Sequence, residues 1–483
     1  MQDSHRQIVY RYWALIAVVV LVPLLLWAAI PILPTHDDWA GTTRPDFSPF
    51  FTKEHFFFYG YHWRPFDTWV GYIVGRNPQV LYPTFNHILV VVGHALNALL
   101  IYRFILTLGF SRRASNVATL FFFVTPATMA TVLAVDSQNQ TYAMLWGLLA
   151  FLAYVRLKKG RYVAWLTLVF IAALSKENGL MWALIAPILA FGFDFIDQRT
   201  LRKDLLIGIA LMAAYALAIV VLPREIVIHP DYVPDDFKVV KNIAKFLLTT
   251  FVTVDYIYLL HAPSRNLLIA AVSLLMAAPF LYMVFVRHIG RYKEKKLLCT
   301  VVCLLIAIGP HILTVFSMMH TYAALAMVSI LVAQGTDSWL QSAKRITGRR
   351  LTTAFILFLT TAIAIDAHLC HTSYKSGLVG KRMAQEAIRK TGKAVNSVYV
   401  IIVEDDYPKL SSFCVIPYEA FGWGWASQYE TNYRWPESIK DTTIERSSAA
   451  MKTAHQMARK VLADGRYDCV WLVNHKEIDV VKR

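Results

Sequence analysis

The chain has 483 residues, of which 57% are hydrophobic and only 17% charged, with a formal net charge of +16. Soluble globular domains carry roughly 25% charged residues, and one soluble core cannot hide this much apolar surface, so lipid is part of the solvent. The basic residues sit in short clusters between long apolar runs. That is the positive-inside pattern of a membrane protein, and it excludes nucleic acid as a partner.

In chain order, the first apolar run is Trp13 to Leu33, preceded by Arg6 and Arg11. Ala28-Ala29 would suit a signal-peptide cleavage site, but the run is too long for a typical h-region. It reads as an uncleaved anchor with a cytoplasmic N-terminus. Further apolar runs follow at 84–109, 116–134, 140–156, 162–174, 180–196, 205–222, 266–287, 297–318, 321–335 and 351–369. Basic turns separate alternate runs: Arg112-Arg113, Arg156 to Arg161, Arg199 to Lys203, Arg287 to Lys296, and Lys344 to Arg350. This alternation predicts about eleven transmembrane helices, N-terminus inside and C-terminus outside.

The segment 239–262 is apolar but interrupted by Lys241, Lys245 and Asp255. As a span it would deliver the basic cluster 287–296 to the outer side. It is therefore expected as an interfacial helix on the outer face, within an interfacial segment 223–265.

Beyond about residue 370 the pattern changes. Helix-like stretches (Lys381 to Lys390, Ala449 to Ala463) alternate with strand-like ones (Ser397 to Val403, Cys469 to Asn474). The expected fold is thus an α-helical polytopic membrane protein, with a transmembrane domain over 1–369 and a small extracytoplasmic α/β domain over 370–483. The five cysteines form no metal-ligand pattern. Cys299 and Cys303 read as packing residues, and two of Cys370, Cys414 and Cys469 could pair as a disulfide or all remain free thiols.

Polar residues gather on the connections predicted to face outward. The loop 34–83 holds His36-Asp37-Asp38-Trp39 and Tyr61-His62-Trp63-Arg64-Pro65; later connections hold Asp136-Ser137-Gln138-Asn139-Gln140 and Ser175-Lys176-Glu177-Asn178. Carboxylates and cations at one level suit an active site at a membrane surface.

The block Tyr61-His62-Trp63-Arg64-Pro65-Phe66, then Gly75-Arg76-Asn77-Pro78, Phe85-Asn86-His87 and His94-Ala95-Leu96-Asn97-Ala98, resembles the TMTC-like membrane mannosyltransferases of bacteria and animals. Lys176-Glu177 resembles their Lys-Glu pair at the outer end of a later helix. The likeness is collinear over 30–180 and implies a GT-C-like fold and a polyprenyl-phosphate-sugar donor. The tetratricopeptide repeats of the animal relatives are missing. The short C-terminal domain is instead similar to that of bacterial and phage-type glucosyltransferases that decorate O-antigen.

The resemblance implies Asp37 as the base that takes the acceptor's hydroxyl proton, a contribution of typically about 10²–10⁴-fold. Asp38 beside it would raise the pair's proton affinity by like-charge repulsion; the alternative is an Asp pair capping an interfacial helix. Charge developing on the lipid phosphate calls for cations. Arg64, with its planar fork, and Lys176, oriented by Glu177, are the donor-site candidates; a snorkelling arginine and a helix-end ion pair are the alternatives. Lys241 and Lys245 would attract the carrier phosphate from the membrane surface, or be ordinary interfacial lysines. Asp136 is a candidate for the acceptor hydroxyl. Trp423, Trp425 and Tyr429 are candidates for stacking on an acceptor sugar, or for an interfacial aromatic belt. Some superfamily members use a divalent cation, and Asp37 with Asp136 could bind one, although spacing gives no support.

The expected function is inverting transfer of glucose or another hexose to an extracytoplasmic glycan or glycolipid. The alternatives are a transporter or flippase of a lipid-linked sugar, a protein O-mannosyltransferase and a non-catalytic scaffold. Transporters place ionisable groups near the bilayer midplane, and none is visible there in the sequence.

Overall fold

The computed structural model describes residues 2–32, 64–66, 84–134, 137–221, 236–252, 264–286, 294–313, 316–342, 345–391, 395, 397–403, 441–447, 451–474 and 478–483. Apolar runs become helices α1 (Gln2–Ala29), α2 (Thr84–Thr107), α3 (Arg112–Val124), α4 (Met129–Val132), α5 (Gln138–Arg156), α6 (Arg161–Ser175), α7 (Trp182–Gly192) and α8 (Gln198–Val221). Then come α9 (Asp236–Leu247), α10 (Ser264–Leu281), α11 (Glu294–Leu313), α12 (Thr321–Ser342) and α13 (Arg345–Thr391).

Among the described residues, five helices are long and apolar enough to cross a membrane, or up to six if a bent pair counts as one span. Three shorter apolar helices accompany them: Arg161–Ser175, Glu177–Gly192 and Ala270–Val286. Large apolar side chains lie open on the outside of the bundle, with Trp27 79%, Leu275 73% and Leu206 68% exposed. Water would penalise such a surface, and hydrocarbon does not. This is a multi-pass helical membrane protein.

The run expected at 116–134 is not one straight helix. It bends by 50° between Arg112–Val124 and Pro126–Val132. Thr125 is extended (φ −69°, ψ 129°) because Pro126 follows and disfavours the helical conformation before it. The other predicted runs all contain helices, but α1 begins at Gln2, well before Trp13, α12 extends past 335 to Ser342, and α13 runs far past 369 to Thr391. The interfacial segment holds α9 followed by a π-helical turn, Leu248–Val252.

Polar contacts sort the helix ends into two groups. At one end, Arg156 donates to Thr107, and Ser111 donates through N–H (2.8 Å) and Oγ to Asp337 at the N-terminus of α3. Lys295 pairs with Asp194 at 2.6 Å. Here too Asp204, fully buried, accepts from Tyr154 and, at 3.0 Å, from Tyr162, with Arg161 at 3.5 Å. These are the arginine- and lysine-rich turns of the sequence. At the other end, Thr321 donates to the Ala127 carbonyl at 2.9 Å and Asn178 to Gln140 at 3.3 Å. Successive helices therefore run in alternating directions between a basic end and an opposite end.

Between the ends the bundle packs aromatics, including Phe104 edge-on to Phe151 at 4.9 Å and Phe121 stacked on Phe358 at 5.4 Å. Gly147 admits the Trp182 indole, where a Cβ would lie 2.0 Å from Nε1.

Helix α13 continues without interruption through residues 369–370 to Thr391. Its last turns carry a four-stranded sheet of β1 (Ser397–Val403), β2 (Asp441–Ser447), β3 (Cys469–Val473) and β4 (Ile478–Lys482). The order is β2-β1-β3-β4, with β2, β1 and β3 parallel and β4 antiparallel to β3. Helix α14 (Met451–Ala463) covers one face, packing Ala454, Ala458 and Leu462 on Ile401, Val403, Val470 and Leu472. Trp471 ties the sheet to α13 by donating from Nε1 to Thr391 at 2.7 Å. Both strand-like stretches expected from the sequence are strands, and β2 and β4 join them. Cys370 and Cys469 are free thiols, so they do not bond to each other; Cys414 lies outside the described residues.

Candidate functional site

At the end opposite the basic turns, α6 stops at Ser175 because Lys176 is extended (φ −157°, ψ 141°). A 3₁₀ turn, Glu177–Met181, then leads into α7. Gly179 makes this tight reversal possible: a Cβ there would lie 2.4 Å from the carbonyl carbon and oxygen of Ala172. The reversal leaves Lys176 only 8% exposed and turns Glu177 toward Arg64.

Arg64 grips Glu177 with its fork. Its Nε donates to both carboxylate oxygens at 2.9 Å, and its Nη2 lies 2.8 Å from Oε2. The pair is part-buried, at 19% and 32% side-chain exposure. Such planar, multiply bonded pairs are stronger and better oriented than a lysine–carboxylate contact. Tyr215 of α8 feels the charges of Glu177 and Arg64 and donates its hydroxyl to Ala173 at 3.4 Å.

Two histidines complete this end. His311 near the end of α11 and His320 in the turn before α12 stack with ring centroids 3.8 Å apart and planes within 7°. His320 Nδ1 accepts from the Ser317 N–H at 3.0 Å, so its Nε2 carries any proton of the neutral ring. Lys176, Arg64 and Glu177 all act electrostatically on His311.

Helix α9 docks on the same end. Asn242 donates to the Ile312 carbonyl at 2.9 Å, and Phe246 meets Phe316 edge-on at 6.4 Å. Helix α9, which carries Lys241 and Lys245, thus packs against the end of α11 that holds His311. Lys245 is half-buried, and burial together with the Lys241 charge lowers its pKa. Gln138 Oε1, Gln140 Nε2, Asn178 Oδ1 and His311 Nε2 are buried without a hydrogen-bond partner among the described residues.

The structure thus brings Arg64, Lys176 and Glu177 together, with Lys241 and Lys245 on a helix docked nearby. The other sequence candidates, Asp37, Asp38, Asp136, Trp423, Trp425 and Tyr429, lie outside the described residues. Among the described residues, no group of three or more His, Cys, Asp and Glu could hold a metal. Tyr215, His311 and His320 are not among the sequence candidates, although His320 lies in the turn before α12 and His311 in the last turn of α11.

The His94–Asn97 motif belongs elsewhere. Asn97 donates from Nδ2 to the Tyr322 oxygen at 3.1 Å and to the Thr141 carbonyl at 2.8 Å. Tyr322 donates to His94 Nδ1 at 2.9 Å, and His94 Nε2–H donates to the Phe123 carbonyl at 3.1 Å. His94 is fully buried, and both of its nitrogens are engaged. This relay locks α2, α3, α5 and α12 together. His87 likewise bonds the Ile32 carbonyl at 3.0 Å and pins the end of α1 to α2.

Comparison with known proteins returns distant structural likenesses. The oligosaccharyltransferase of Archaeoglobus fulgidus, in complex with zinc and sulfate, aligns over 81% of this chain at 17% identity and a TM-score of 0.43. This chain spans 60% of that protein's length. ArnT from Cupriavidus metallidurans, bound to undecaprenyl phosphate, aligns over 95% of this chain and 93% of its own at 12% identity and a TM-score of 0.48. No family model matches the sequence, and no curated protein matches it.

Proposed function

We propose that this chain is an inverting glycosyltransferase of GT-C type. It moves a sugar, glucose or another hexose, from a polyprenyl-phosphate carrier to a glycan or glycolipid such as O-antigen on the non-cytoplasmic side of a bacterial inner membrane. The N-terminus is then cytoplasmic and the C-terminal domain extracytoplasmic, with the basic end of the bundle inside. The observation that carries this reading is the Arg64–Glu177 fork beside buried Lys176, at the end opposite the basic turns. Collinear motifs over 30–180 support it.

In the proposed step the acceptor hydroxyl oxygen bonds to the anomeric carbon. The bond from that carbon to the phosphate oxygen breaks, and its electron pair stays on the departing lipid phosphate. The hydroxyl proton passes to Asp37. Lys176 and Arg64 meet the charge that grows on the phosphate; they are held in place beforehand and cost no reorganisation at that moment. Glu177 fixes the arginine fork and keeps the local charge from becoming excessive. Asp136 and the aromatics Trp423, Trp425 and Tyr429 serve the acceptor.

Incubating the purified protein with a panel of polyprenyl-phosphate sugars tests the reading. Release of free polyprenyl phosphate in the presence of acceptor is expected. A protein that moves the intact lipid-linked sugar across vesicles without cleaving it is a flippase.

A further inference from the structure

Helix α9 divides into three faces. Val239, Asn242 and Phe246 turn inward, with Asn242 4% and Phe246 3% exposed, and anchor the helix on the end of α11. Phe237, Val240, Ile243 and Leu247 form a second, apolar stripe, and Phe237 and Val240 are 75% and 67% exposed. Lys238, Lys241 and Lys245 recur at three- and four-residue spacing along the third. Asp236 is the only acid in the helix.

We infer that α9 is a membrane-docking helix whose occupant is an anionic phospholipid leaflet: the apolar stripe enters the acyl boundary and the lysine face meets headgroup phosphates. A large exposed apolar stripe beside a basic face on a helix of this length is the pattern of an in-plane interfacial helix. The neighbouring helix argues for lipid as occupant. Leu298, Leu305 and Leu313 of α11 form an exposed apolar row that ends where α9 is tethered. Charge complementarity argues for anionic headgroups, since three lysines stand against one acid. Zwitterionic lipid would satisfy the apolar stripe alone. The inference concerns the bulk leaflet and does not depend on the glycosyl-transfer reading.

The test uses the full chain in nanodiscs of equal phosphatidylglycerol and phosphatidylcholine, with photo-reactive benzoylphenylalanine in place of Val240. Mass spectrometry of the adducts is expected to show phospholipid, with phosphatidylglycerol over-represented relative to the disc. Each lysine near an anionic surface favours association by about fivefold, so the Lys238→Gln, Lys241→Gln, Lys245→Gln triple variant is expected to lose that excess while still crosslinking lipid. Adducts to protein, whether this chain, a second copy or another partner, would overturn the inference. So would phosphatidylglycerol and phosphatidylcholine adducts in the proportions of the disc. Activity is not part of the readout, so a failed transfer assay leaves this result unaffected.

Discussion

Arg64 and Glu177 are 113 positions apart in the chain and meet in a forked ion pair at 2.8–2.9 Å. The pair joins the first predicted outer loop to the end of α6 opposite the basic turns. It is only part-buried, so solvent screens it, and such pairs contribute at most about 1 kcal/mol to stability. Arg64→Ala is expected to leave thermal stability nearly unchanged while slowing transfer by about 10²-fold, the scale of a lost charge-stabilising donor. Arg64→Lys is expected to recover little of the rate, because an ammonium cannot reproduce the fork. Turnover and melting of the purified variants in detergent check both.

The reversal at Gly179 is expected to be intolerant of even one methyl group. Gly179→Ala puts a Cβ 2.4 Å from the backbone of Ala172, so the backbone must shift. A loss of about 1–3 kcal/mol is expected, with transfer reduced beyond what the loss of folded protein explains, since Lys176 and Glu177 move with the turn. Equal losses in stability and activity would make the turn merely structural.

The sequence made much of this architecture legible: the apolar runs form helices, one of them bent, and the described basic residues Arg156, Arg161 and Lys295 fall at one end. Long apolar runs must satisfy their backbone internally, so α-helix was nearly forced. The break at Thr125-Pro126 is not legible from proline alone, because Pro23, Pro187, Pro279 and Pro310 all lie inside helices. The site was legible where residue type and expected side coincided, as with Lys176 and Glu177. The stacking of His311 on His320 was not, because it depends on how the ends of α11 and α12 approach each other. His94, a few turns into a span, reads from the sequence as a buried, hydrogen-bonded histidine rather than a ligand, and the structure agrees: both ring nitrogens are engaged in packing contacts.

That relay gives a stability expectation. Tyr322→Phe removes the hydroxyl that receives from Asn97 and donates to His94. His94 Nδ1 is left buried and unpaired while Asn97 keeps only its bond to the Thr141 carbonyl, at a cost of about 1–3 kcal/mol. Thermal unfolding in detergent is expected to shift down accordingly, while the protein that remains folded turns over at the wild-type rate.

The C-terminal sheet has a pH limit of its own. Burial pushes the Cys469 thiol from its ordinary value of 9.0 up to about 11. The folded state therefore holds a proton that the unfolded state releases, so the thiol's contribution is intact below pH 9 and is lost as pH rises toward about 11. Cys469→Ala is expected to flatten the decline in melting temperature over that window. An unchanged decline would assign it to other groups.

The central claim is chemical: a sugar leaves a lipid phosphate at the end of the bundle that holds Arg64 and Lys176. The most direct measurement follows free polyprenyl phosphate and glycosylated acceptor together, using purified wild-type protein and its Asp37→Asn and Lys176→Ala variants. The wild type is expected to yield both products in equal amounts with inversion at the anomeric carbon. Asp37→Asn is expected to bind donor and release nothing, and Lys176→Ala to bind or turn over donor poorly. Near-wild-type turnover by Asp37→Asn at saturating substrates, or retention of the anomeric configuration, would contradict the account.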